Sequence, residues 1–312
     1  MSRDHRILIL SADAPEYERL LQEQGFGPMV VAALTQPVDL DFDAQRANVV
    51  LGDPDCVAPV LECLSRLEWV QSTWAGVRPL LEAGYRQAYQ LTGVKGVFGA
   101  AVSEYVFCFA LMHERNLLGG QIPKLWNPAP AGRLRGKTMA ILGVGSIGAW
   151  VAGTAKHFGM HTVGFTRLSR DCRDIDRYRD IGDLAAAVGS VDYLVSVLPD
   201  TPDTSRLLNR EVFSAMKPTA MLMNVGRANV IDDEALIEAL NLEMFAAAVL
   251  DVFRQEPLPN EHPFWLTPNL VVTSHTAAVT VPGDIVSIFV DNFDRFRRDA
   301  PLKHLIDRRR GY

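Results

Sequence analysis

The 312 residues have the composition of a globular protein, with 48% hydrophobic and 22% charged side chains and a formal net charge of −6. The length allows two domains, and the composition excludes an intrinsically disordered chain. The acidic balance argues against a nucleic-acid-binding surface, and no apolar stretch reaches the roughly 18 residues that span a membrane. The four cysteines are scattered, without a CxxC motif, which indicates reduced thiols in a cytoplasmic protein with no metal site.

Short apolar runs alternate with helical patterns over the first hundred residues, which is typical of an α/β domain with a parallel sheet. Helices are predicted at Ala14–Gln24 and Pro54–Arg66. The predicted strands are Arg6–Leu10, Met29–Leu34, Asn48–Leu51, Val70–Thr73 and Tyr89–Leu91. None of these strands is followed by a glycine-rich turn, and the turn after the first one reads Ser-Ala-Asp-Ala-Pro. This region is therefore not expected to hold a nucleotide.

A long apolar helix, predicted at Ala101–Leu118, leads into a second region past a Gly-, Pro- and Asn-rich loop at Gly119–Arg135. A second series of strands follows: Met139–Gly143, Thr162–Phe165, Tyr193–Leu198, Ala220–Val225, Ala246–Leu250 and Leu270–Thr273. The last helix, after Pro282, has apolar residues at helical spacing, which predict a packing face. The second region is thus another α/β domain with a parallel sheet.

A glycine-rich turn, Gly-Val-Gly-Ser-Ile-Gly at 143–148, follows the first strand of the second series and opens a helical run, Ala149–Phe158. Gly143 permits a tight turn, Gly145 lets the backbone approach a pyrophosphate, and Gly148 lets helix and strand pack closely. Free N–H groups at the helix N-terminus favour the negative charge. The pattern predicts a dinucleotide site, with a glycine turn kept only for packing as the alternative. The binding residues expected in this turn are Gly145, Ser146 and Ile147.

The segment after the next strand predicts which dinucleotide is bound. NAD sites place Asp or Glu about 20 residues after the glycine loop, to accept a hydrogen bond from the ribose 2′-OH. Here Thr166 and Arg167 stand at that position, and Arg170 follows. A hydroxyl and two guanidinium groups favour a 2′-phosphate, so NADP(H) is the expected cofactor and NAD(H) the second choice. The alternative is that both arginines are solvated, with Asp171 and Asp174 as neutralising neighbours.

Polar side chains follow three other strands of the second series. Arg227 follows the fourth strand, Asp251 and Glu256 follow the fifth, and His275 follows the sixth. Each is a weak signal alone, because a lone histidine is usually structural and a loop arginine is usually solvated. Because ligands of open parallel sheets bind at the carboxyl ends of the strands, these side chains are expected to share a site with the glycine loop.

This set of side chains suits the reduction of a carbonyl by a nicotinamide. The reaction needs a proton for the carbonyl oxygen, and His275 can supply it if Glu256 keeps the imidazolium charged and oriented. The planar guanidinium of Arg227 can bind the carboxylate of a 2-oxo acid. Asp251 can accept a hydrogen bond from the carboxamide of the nicotinamide. The predicted activity is therefore hydride transfer between a nicotinamide cofactor and a small 2-oxo or 2-hydroxy acid.

The chain resembles the D-isomer-specific 2-hydroxyacid dehydrogenase family over nearly its whole length, and within it the short glyoxylate/hydroxypyruvate reductases. The motifs that carry the resemblance, besides the glycine loop, are Gly136-Lys137-Thr138, Leu198-Pro199-Asp200-Thr201-Pro202, Asn224-Val225-Gly226-Arg227, Leu250-Asp251-Val252-Phe253, Glu256-Pro257, His275-Thr276-Ala277-Ala278 and the ending Asp307-Arg308-Arg309-Arg310-Gly311-Tyr312. The resemblance implies that Arg227 binds substrate, that Glu256 is the partner of His275, and that His275 is the acid/base. It also implies cofactor contacts at Leu198, Pro199, Val225, Gly226, Arg227 and His275. Besides Arg227, the implied substrate contacts are His275 and a substrate-carboxylate loop at Trp74, Ala75 and Gly76.

The resemblance implies two Rossmann-like domains, one flavodoxin-like and one dinucleotide-binding, with the active site in the cleft between them. The expected division is residues 1–100 with 284–312 for the substrate-binding domain and 101–283 for the NAD(P)-binding domain. A homodimer assembled through the cofactor domain is also implied. The loop Gly119–Arg135 is then expected to reach the neighbouring subunit, where Trp126 lines the partner's active site or packs locally.

Two departures from the family pattern leave the substrate open. Arg78 stands where the family usually has an acidic residue, and Leu51–Pro54 lacks the bulkier side chains common nearby. The alternatives are a phosphite dehydrogenase, which keeps a similar triad, and a non-catalytic nucleotide-sensing binding protein. A formate dehydrogenase is disfavoured, because that enzyme carries Gln where Glu256 stands.

Overall fold

The computed structural model describes residues 4–83, 89–118, 131–167, 170–309 and 311. The strands, β1 to β12, are Ile7–Leu10, Val30–Leu34, Val49–Gly52, Trp69–Ser72, Gln90–Thr92, Thr138–Leu142, His161–Phe165, Arg177–Arg179, Tyr193–Ser196, Met221–Asn224, Ala247–Leu250 and Leu270–Val272. The helices, α1 to α9, are Ala14–Glu23, Pro54–Val57, Arg78–Glu82, Gly99–Glu114, Ser146–His157, Leu184–Ala187, Arg210–Ala215, Asp233–Asn241 and Pro282–Phe296. Within these ranges, no helix combines the length and the apolar character that a membrane crossing requires.

The chain divides into two compact units, residues 1–97 with 280–312 and residues 98–279. The expected division, after residues 100 and 283, lies a few residues further along the chain at both points. Two α/β units with parallel sheets confirm the predicted fold class. The location of the active site in a cleft between the units stays a prediction.

The first unit is built on a five-stranded parallel sheet with the order β2-β1-β3-β4-β5. This is the flavodoxin-like order, with the switch in strand order between β1 and β3. The apolar stripe of α9 is buried on this unit, and the ring of Phe289 stacks on that of Trp69 at 5.1 Å. The predicted packing face of the last helix is therefore confirmed, and it brings the C-terminal segment back to the first sheet.

The second unit is built on a seven-stranded parallel sheet with the order β12-β11-β10-β9-β6-β7-β8. Both faces are covered: Ala140 and Leu142 of β6 belong to one buried cluster, and Met139 and Ile141 belong to the other. The order reverses between β6 and β9, where ligands of such sheets bind. The register puts Ser196, the last residue of β9, beside Leu142 and Asn224, so the carboxyl ends of these strands meet at one edge.

Two predicted helices differ from those observed, and one observed strand was not predicted. The helix predicted at Pro54–Arg66 is α2 followed by a 3₁₀ turn, Ala58–Cys63. Pro59 has no N–H for the α-helical hydrogen bond, and its ring crowds the preceding turn. The helix predicted at Ala101–Leu118 is α4, which ends at Glu114 because Asn116 adopts φ +54°. Strand β8 has no predicted counterpart, because it has only three residues and both its ends are exposed.

Candidate active site

The glycine loop has the backbone that the sequence pattern requires. Gly143 adopts φ +93°, a left-handed conformation that favours glycine, and its N–H donates to the carbonyl of Phe165 at 2.9 Å. A Cβ on Gly148 would lie 2.2 Å from the carbonyl oxygen of Gly143, so only glycine fits there. A Cβ on Gly145 would meet no heavy atom within 4 Å, and α5 begins at the next residue. The open backbone at Gly145, directly before a helix N-terminus, therefore fits the close approach of a pyrophosphate.

The Asn224 side chain shapes the turn that carries Arg227. Its amide nitrogen donates to the carbonyl of Arg227 at 3.0 Å, and its amide oxygen accepts from the N–H of Gly226 at 3.2 Å. A Cβ on Gly226 would lie 2.6 Å from the carbonyl oxygen of Leu198, so the ends of β9 and β10 pack backbone to backbone. Burial lowers the pKa of Arg227, whereas the negative charge of Glu256 opposes this shift. The Arg227 guanidinium remains charged, and the carboxylate of Glu256 attracts it electrostatically.

His275 and Glu256 form a pair at the carboxyl edge of the second sheet. Nδ1 of His275 lies 2.8 Å from Oε2 of Glu256, and Oε1 of Glu256 accepts from the N–H of Phe253 at 2.8 Å. Because an ionised carboxylate only accepts hydrogen bonds, Nδ1 carries a proton in this arrangement. Nε2 is then the ring nitrogen that remains to face a substrate. Half of the His275 side chain is exposed, so the pair is open to a ligand.

Asp251 organises the loop that carries His275. The Asp251 side chain is buried, with Oδ1 accepting from the N–H of Thr276 at 2.8 Å and Oδ2 from the N–H of Ala277 at 2.9 Å. The carbonyl of Asp251 accepts from the N–H of His275 at 2.9 Å. These bonds show a role for Asp251 in fixing this loop, while its predicted contact with the nicotinamide carboxamide stays a prediction.

The predicted 2′-phosphate residues follow β7 on the surface. Thr166 is half-buried, and Arg167 and Arg170 are exposed. Arg167 forms an ion pair with Asp203, and Arg170 forms one with Asp180. The ion-pair partners are thus Asp203 and Asp180, in place of the expected neighbours Asp171 and Asp174. Exposed pairs of this kind contribute only about 0–1 kcal/mol, so a phosphate group can compete for the guanidinium groups.

The remaining predicted residues lie where strands end. Leu198 and Pro199 follow β9, and Val225 and Gly226 follow β10, at the same edge as the glycine loop. The predicted substrate loop belongs to the first unit, after β4. There Ser72 Oγ accepts from the N–H of Trp74 at 3.0 Å and donates to its carbonyl at 2.8 Å, which fixes the start of the loop. Substrate binding by Trp74, Ala75 and Gly76 stays a prediction, and the predicted loop around Trp126 lies outside the described residues.

Two residues near the site have no functional signal in the sequence. The hydroxyl of Thr273 donates to Oδ1 of Asp251 at 2.5 Å, and the hydroxyl of Tyr105 lies 2.6 Å from that of Thr273. The sequence predicts only that Thr273 ends a strand and that Tyr105 belongs to an apolar helix. Neither pattern signals a contact across 168 residues of chain. In the part of the chain that the structure describes, no group of three His, Cys, Asp or Glu side chains is arranged to hold a metal ion.

The chain is similar to known proteins in sequence and in fold. Residues 112–277 match the profile described as D-isomer specific 2-hydroxyacid dehydrogenase, NAD binding domain. Glyoxylate/hydroxypyruvate reductase A of Yersinia enterocolitica is 32% identical over 214 residues, which are 68% of either chain. A D-isomer specific 2-hydroxyacid dehydrogenase family protein from Aeromonas salmonicida superposes with a TM-score of 0.89 and 40% identity, over 98% of this chain and 99% of that one. An NADPH-dependent glyoxylate/hydroxypyruvate reductase from Sinorhizobium meliloti, solved with NADP and sulfate, gives a TM-score of 0.85 at 25% identity, over 98% and 100% of the two chains.

Proposed function

The chain belongs to the D-isomer-specific 2-hydroxyacid dehydrogenase family and is an NAD(P)-dependent oxidoreductase, and from this premise we propose that it reduces a small 2-oxo acid, such as glyoxylate or hydroxypyruvate, to the 2-hydroxy acid with NADPH. The observation that carries the proposal is the 2.8 Å contact between His275 and Glu256, beside Arg227 at the carboxyl edge of the second sheet. A binding protein has no need of a proton donor held in this way.

Each residue of the site has a task in this reaction. When bound, the nicotinamide ring supplies the hydride. Arg227 holds the substrate carboxylate and the adjacent carbonyl oxygen, so that the carbonyl carbon faces the ring. His275 donates a proton from Nε2 to the carbonyl oxygen, which becomes the hydroxyl of the product. Glu256 stabilises the imidazolium before this transfer and keeps the ring oriented through Nδ1.

The proposal of NADPH as cofactor rests on the residues after β7. Arg167 and Arg170 follow the strand that ends beside the glycine loop, with no acidic residue at the position that binds the ribose 2′-OH in NAD-specific sites. Their ion pairs with Asp203 and Asp180 are exposed and exchangeable. The similar Sinorhizobium meliloti reductase is described as NADPH-dependent, which supports the same preference here.

A homodimer assembled through residues 98–279 is part of the proposal, because the family assembles in this way. Sedimentation at micromolar concentration is expected to show a species of twice the 34.5 kDa chain mass. A species near 34.5 kDa alone contradicts the dimer. A cytoplasmic location is proposed from the cysteines, all four of which are free thiols.

A panel of substrates tests the activity. NADPH oxidation is measured with glyoxylate and hydroxypyruvate, and NADP⁺ reduction is measured with phosphite and formate. We expect turnover with the 2-oxo acids only. Reaction with phosphite and not with any 2-oxo acid identifies the phosphite dehydrogenase alternative, and tight NADPH binding without turnover of any compound identifies the binding-protein alternative.

A further inference from the structure

The backbone of His275 is held in an unfavourable conformation. Its φ is +54°, in the left-handed region that costs a residue other than glycine roughly 1–2 kcal/mol. Such a conformation persists only where the surrounding structure imposes it. Here the neighbouring N–H groups of Thr276 and Ala277 are bound by the two carboxylate oxygens of Asp251. The direction of the His275 side chain therefore depends on how the Asp251 carboxylate is oriented.

The Asp251 carboxylate accepts a hydrogen bond from the hydroxyl of Thr273, which in turn contacts the hydroxyl of Tyr105. Thr273 Oγ1 lies 2.5 Å from Oδ1 of Asp251 and 2.6 Å from the hydroxyl of Tyr105. A hydroxyl has one hydrogen to donate, and an ionised carboxylate has none. If Thr273 gives its hydrogen to Asp251, then Tyr105 must donate to Thr273. The hydrogen bonds thus run in one direction, from Tyr105 through Thr273 to Asp251.

The packing of Tyr105 holds its hydroxyl in place at the start of these hydrogen bonds. It lies on α4, whereas Thr273 and Asp251 follow β12 and β11. Its ring packs against that of Phe109 at 4.8 Å between centroids, and the side chain is half-buried. Burial raises the pKa of Tyr105, which keeps the phenol protonated and therefore a donor over the pH range of ordinary assays. Helix α4 is thus joined to the His275 loop by a continuous series of hydrogen bonds.

We propose that Tyr105 is a positioning residue for the proton donor: its hydroxyl, acting through Thr273 and Asp251, sets the orientation of the His275 imidazole. This inference rests on the proposed function of His275. It predicts that removal of the Tyr105 hydroxyl impairs proton transfer and spares the binding of substrate and cofactor. Small misplacements of a reacting group lower turnover up to about a hundredfold, so roughly tenfold is the expected loss of kcat in Tyr105→Phe.

Kinetics of four variants provide the first test. Tyr105→Phe and Thr273→Val are expected to lower kcat for the 2-oxo acid with little change in KM or in the Kd of NADPH, whereas Thr273→Ser retains kcat. Tyr178→Phe is the matched control, because it removes another half-buried phenol, which accepts a hydrogen bond from the N–H of Cys172 at 2.9 Å. A purely structural role predicts equal losses in Tyr105→Phe and Tyr178→Phe, or a failure of Thr273→Ser to retain activity, and either result overturns the proposal.

A double-mutant cycle tests whether Tyr105 acts through His275. In a His275→Ala background, Tyr105→Phe is expected to cause no further loss of kcat, because the group it positions is gone. Equal fold losses in both backgrounds contradict the proposal.

The imidazole ¹⁵N signals of His275 give a readout independent of turnover: they are expected to shift in Tyr105→Phe and not in Tyr178→Phe. A wild-type protein without activity therefore contradicts the proposed function, whereas unchanged His275 signals in Tyr105→Phe contradict the role of Tyr105.

Discussion

Each sheet has a turn at its switch in strand order, and the two turns differ in one feature. After β1, the N–H of Ala12 donates to Oδ2 of Asp53 at 2.8 Å, and the hydroxyl of Thr73 donates to the other oxygen of this buried carboxylate. After β6, the corresponding turn is the glycine loop, where Gly145 is exposed and a Cβ on it would meet no neighbour. The backbone of the first turn is already hydrogen-bonded to a carboxylate, whereas the backbone of the second turn is open to a ligand.

The difference predicts that only one of the two similar folds binds a nucleotide. Both sheets are parallel, and both have a switch in strand order, between β1 and β3 and between β6 and β9. A phosphate at the first turn would have to displace Asp53 and would meet its negative charge. At the second turn a phosphate meets free N–H groups and the N-terminus of a 12-residue helix. The residues of the turn, and not the fold, therefore determine which unit binds the cofactor.

The largest expected effect concerns the proposed proton donor, His275, at the carboxyl edge of the second sheet. His275→Ala is expected to lower kcat for carbonyl reduction by about 10²- to 10⁴-fold, because general acid catalysis is lost. The Kd of NADPH is expected to change little. Glu256→Gln is expected to move the pH optimum of reduction to lower pH, because the imidazolium loses the adjacent negative charge. Steady-state kinetics over a pH series measure both effects.

The control for this prediction is His161→Ala. His161 is exposed and begins β7, at the opposite edge of the same sheet from His275. It is expected to have the kinetics of the wild type. Near-normal turnover of His275→Ala would show that another group donates the proton.

The next effect separates the two tasks of the glycine loop. Gly145→Ala adds a methyl group that meets no neighbour, so stability is expected to be unchanged while NADPH binds at least tenfold more weakly, because the methyl group covers the backbone. Gly148→Ala is expected to lower the free energy of unfolding by about 1–3 kcal/mol, because its Cβ would lie 2.2 Å from the carbonyl oxygen of Gly143. Fluorescence titration with NADPH and urea unfolding without cofactor measure these effects.

Gly283→Ala, in the first turn of α9, is the control for both measurements. Wild-type NADPH affinity in Gly145→Ala would contradict the assignment of the glycine loop as the cofactor site.

A smaller effect is expected for the choice of cofactor. A hydrogen bond to a charged group contributes roughly 1.5–3 kcal/mol, so one contact from Arg167 to the 2′-phosphate gives about a tenfold preference. Arg167→Ala is expected to lower kcat/KM for NADPH and to leave that for NADH nearly unchanged, at fixed ionic strength. The control is Arg173→Ala, whose side chain is 92% exposed and pairs only loosely with Asp174 at 3.6 Å. A wild-type enzyme that favours NADH would disprove this preference.

The sequence predicted those parts of the molecule that have a local signature. The glycine loop, Arg227, Glu256 and His275 stand at fixed offsets from apolar runs, and the parallel register brings the strand ends together. Pro59, in the 3₁₀ turn after α2, also stands in the sequence, but the helical pattern around it predicts a helix that continues past it.

The parts that were not predicted depend on tertiary contacts. The hydrogen bonds from Tyr105 to Asp251 join an apolar helix to two strand ends, and the carboxylate partners of Arg167 and Arg170 come from other segments. Side-chain pairs at such separations follow from the folded geometry and not from a periodicity, so a single sequence does not reveal them. Strand β8 was missed for the related reason that three residues with exposed ends carry no alternation.

The smallest expected effect concerns the closed turn of the first unit and appears in the pH dependence of stability. Burial raises the pKa of Asp53, an effect that the hydrogen bonds from Thr73 and Ala12 only partly offset. The folded state therefore binds a proton at Asp53 more tightly than the unfolded state does. The free energy of unfolding consequently decreases at this site as the pH rises from the ordinary carboxyl pKa, about 3.9, through the raised value.

Asp53→Asn removes this titration and keeps an oxygen that accepts a hydrogen bond. The difference in unfolding free energy, wild type minus variant, is expected to fall as the pH rises from about 4 toward neutrality. Urea unfolding over a pH series measures this slope, whatever the constant cost of the substitution. NADPH binding is expected to be equal in the two proteins, since the turn that Asp53 closes is not expected to hold the cofactor. A difference that rises with pH would mean that the hydrogen bonds outweigh burial, and that Asp53 stabilises the first turn as an anion.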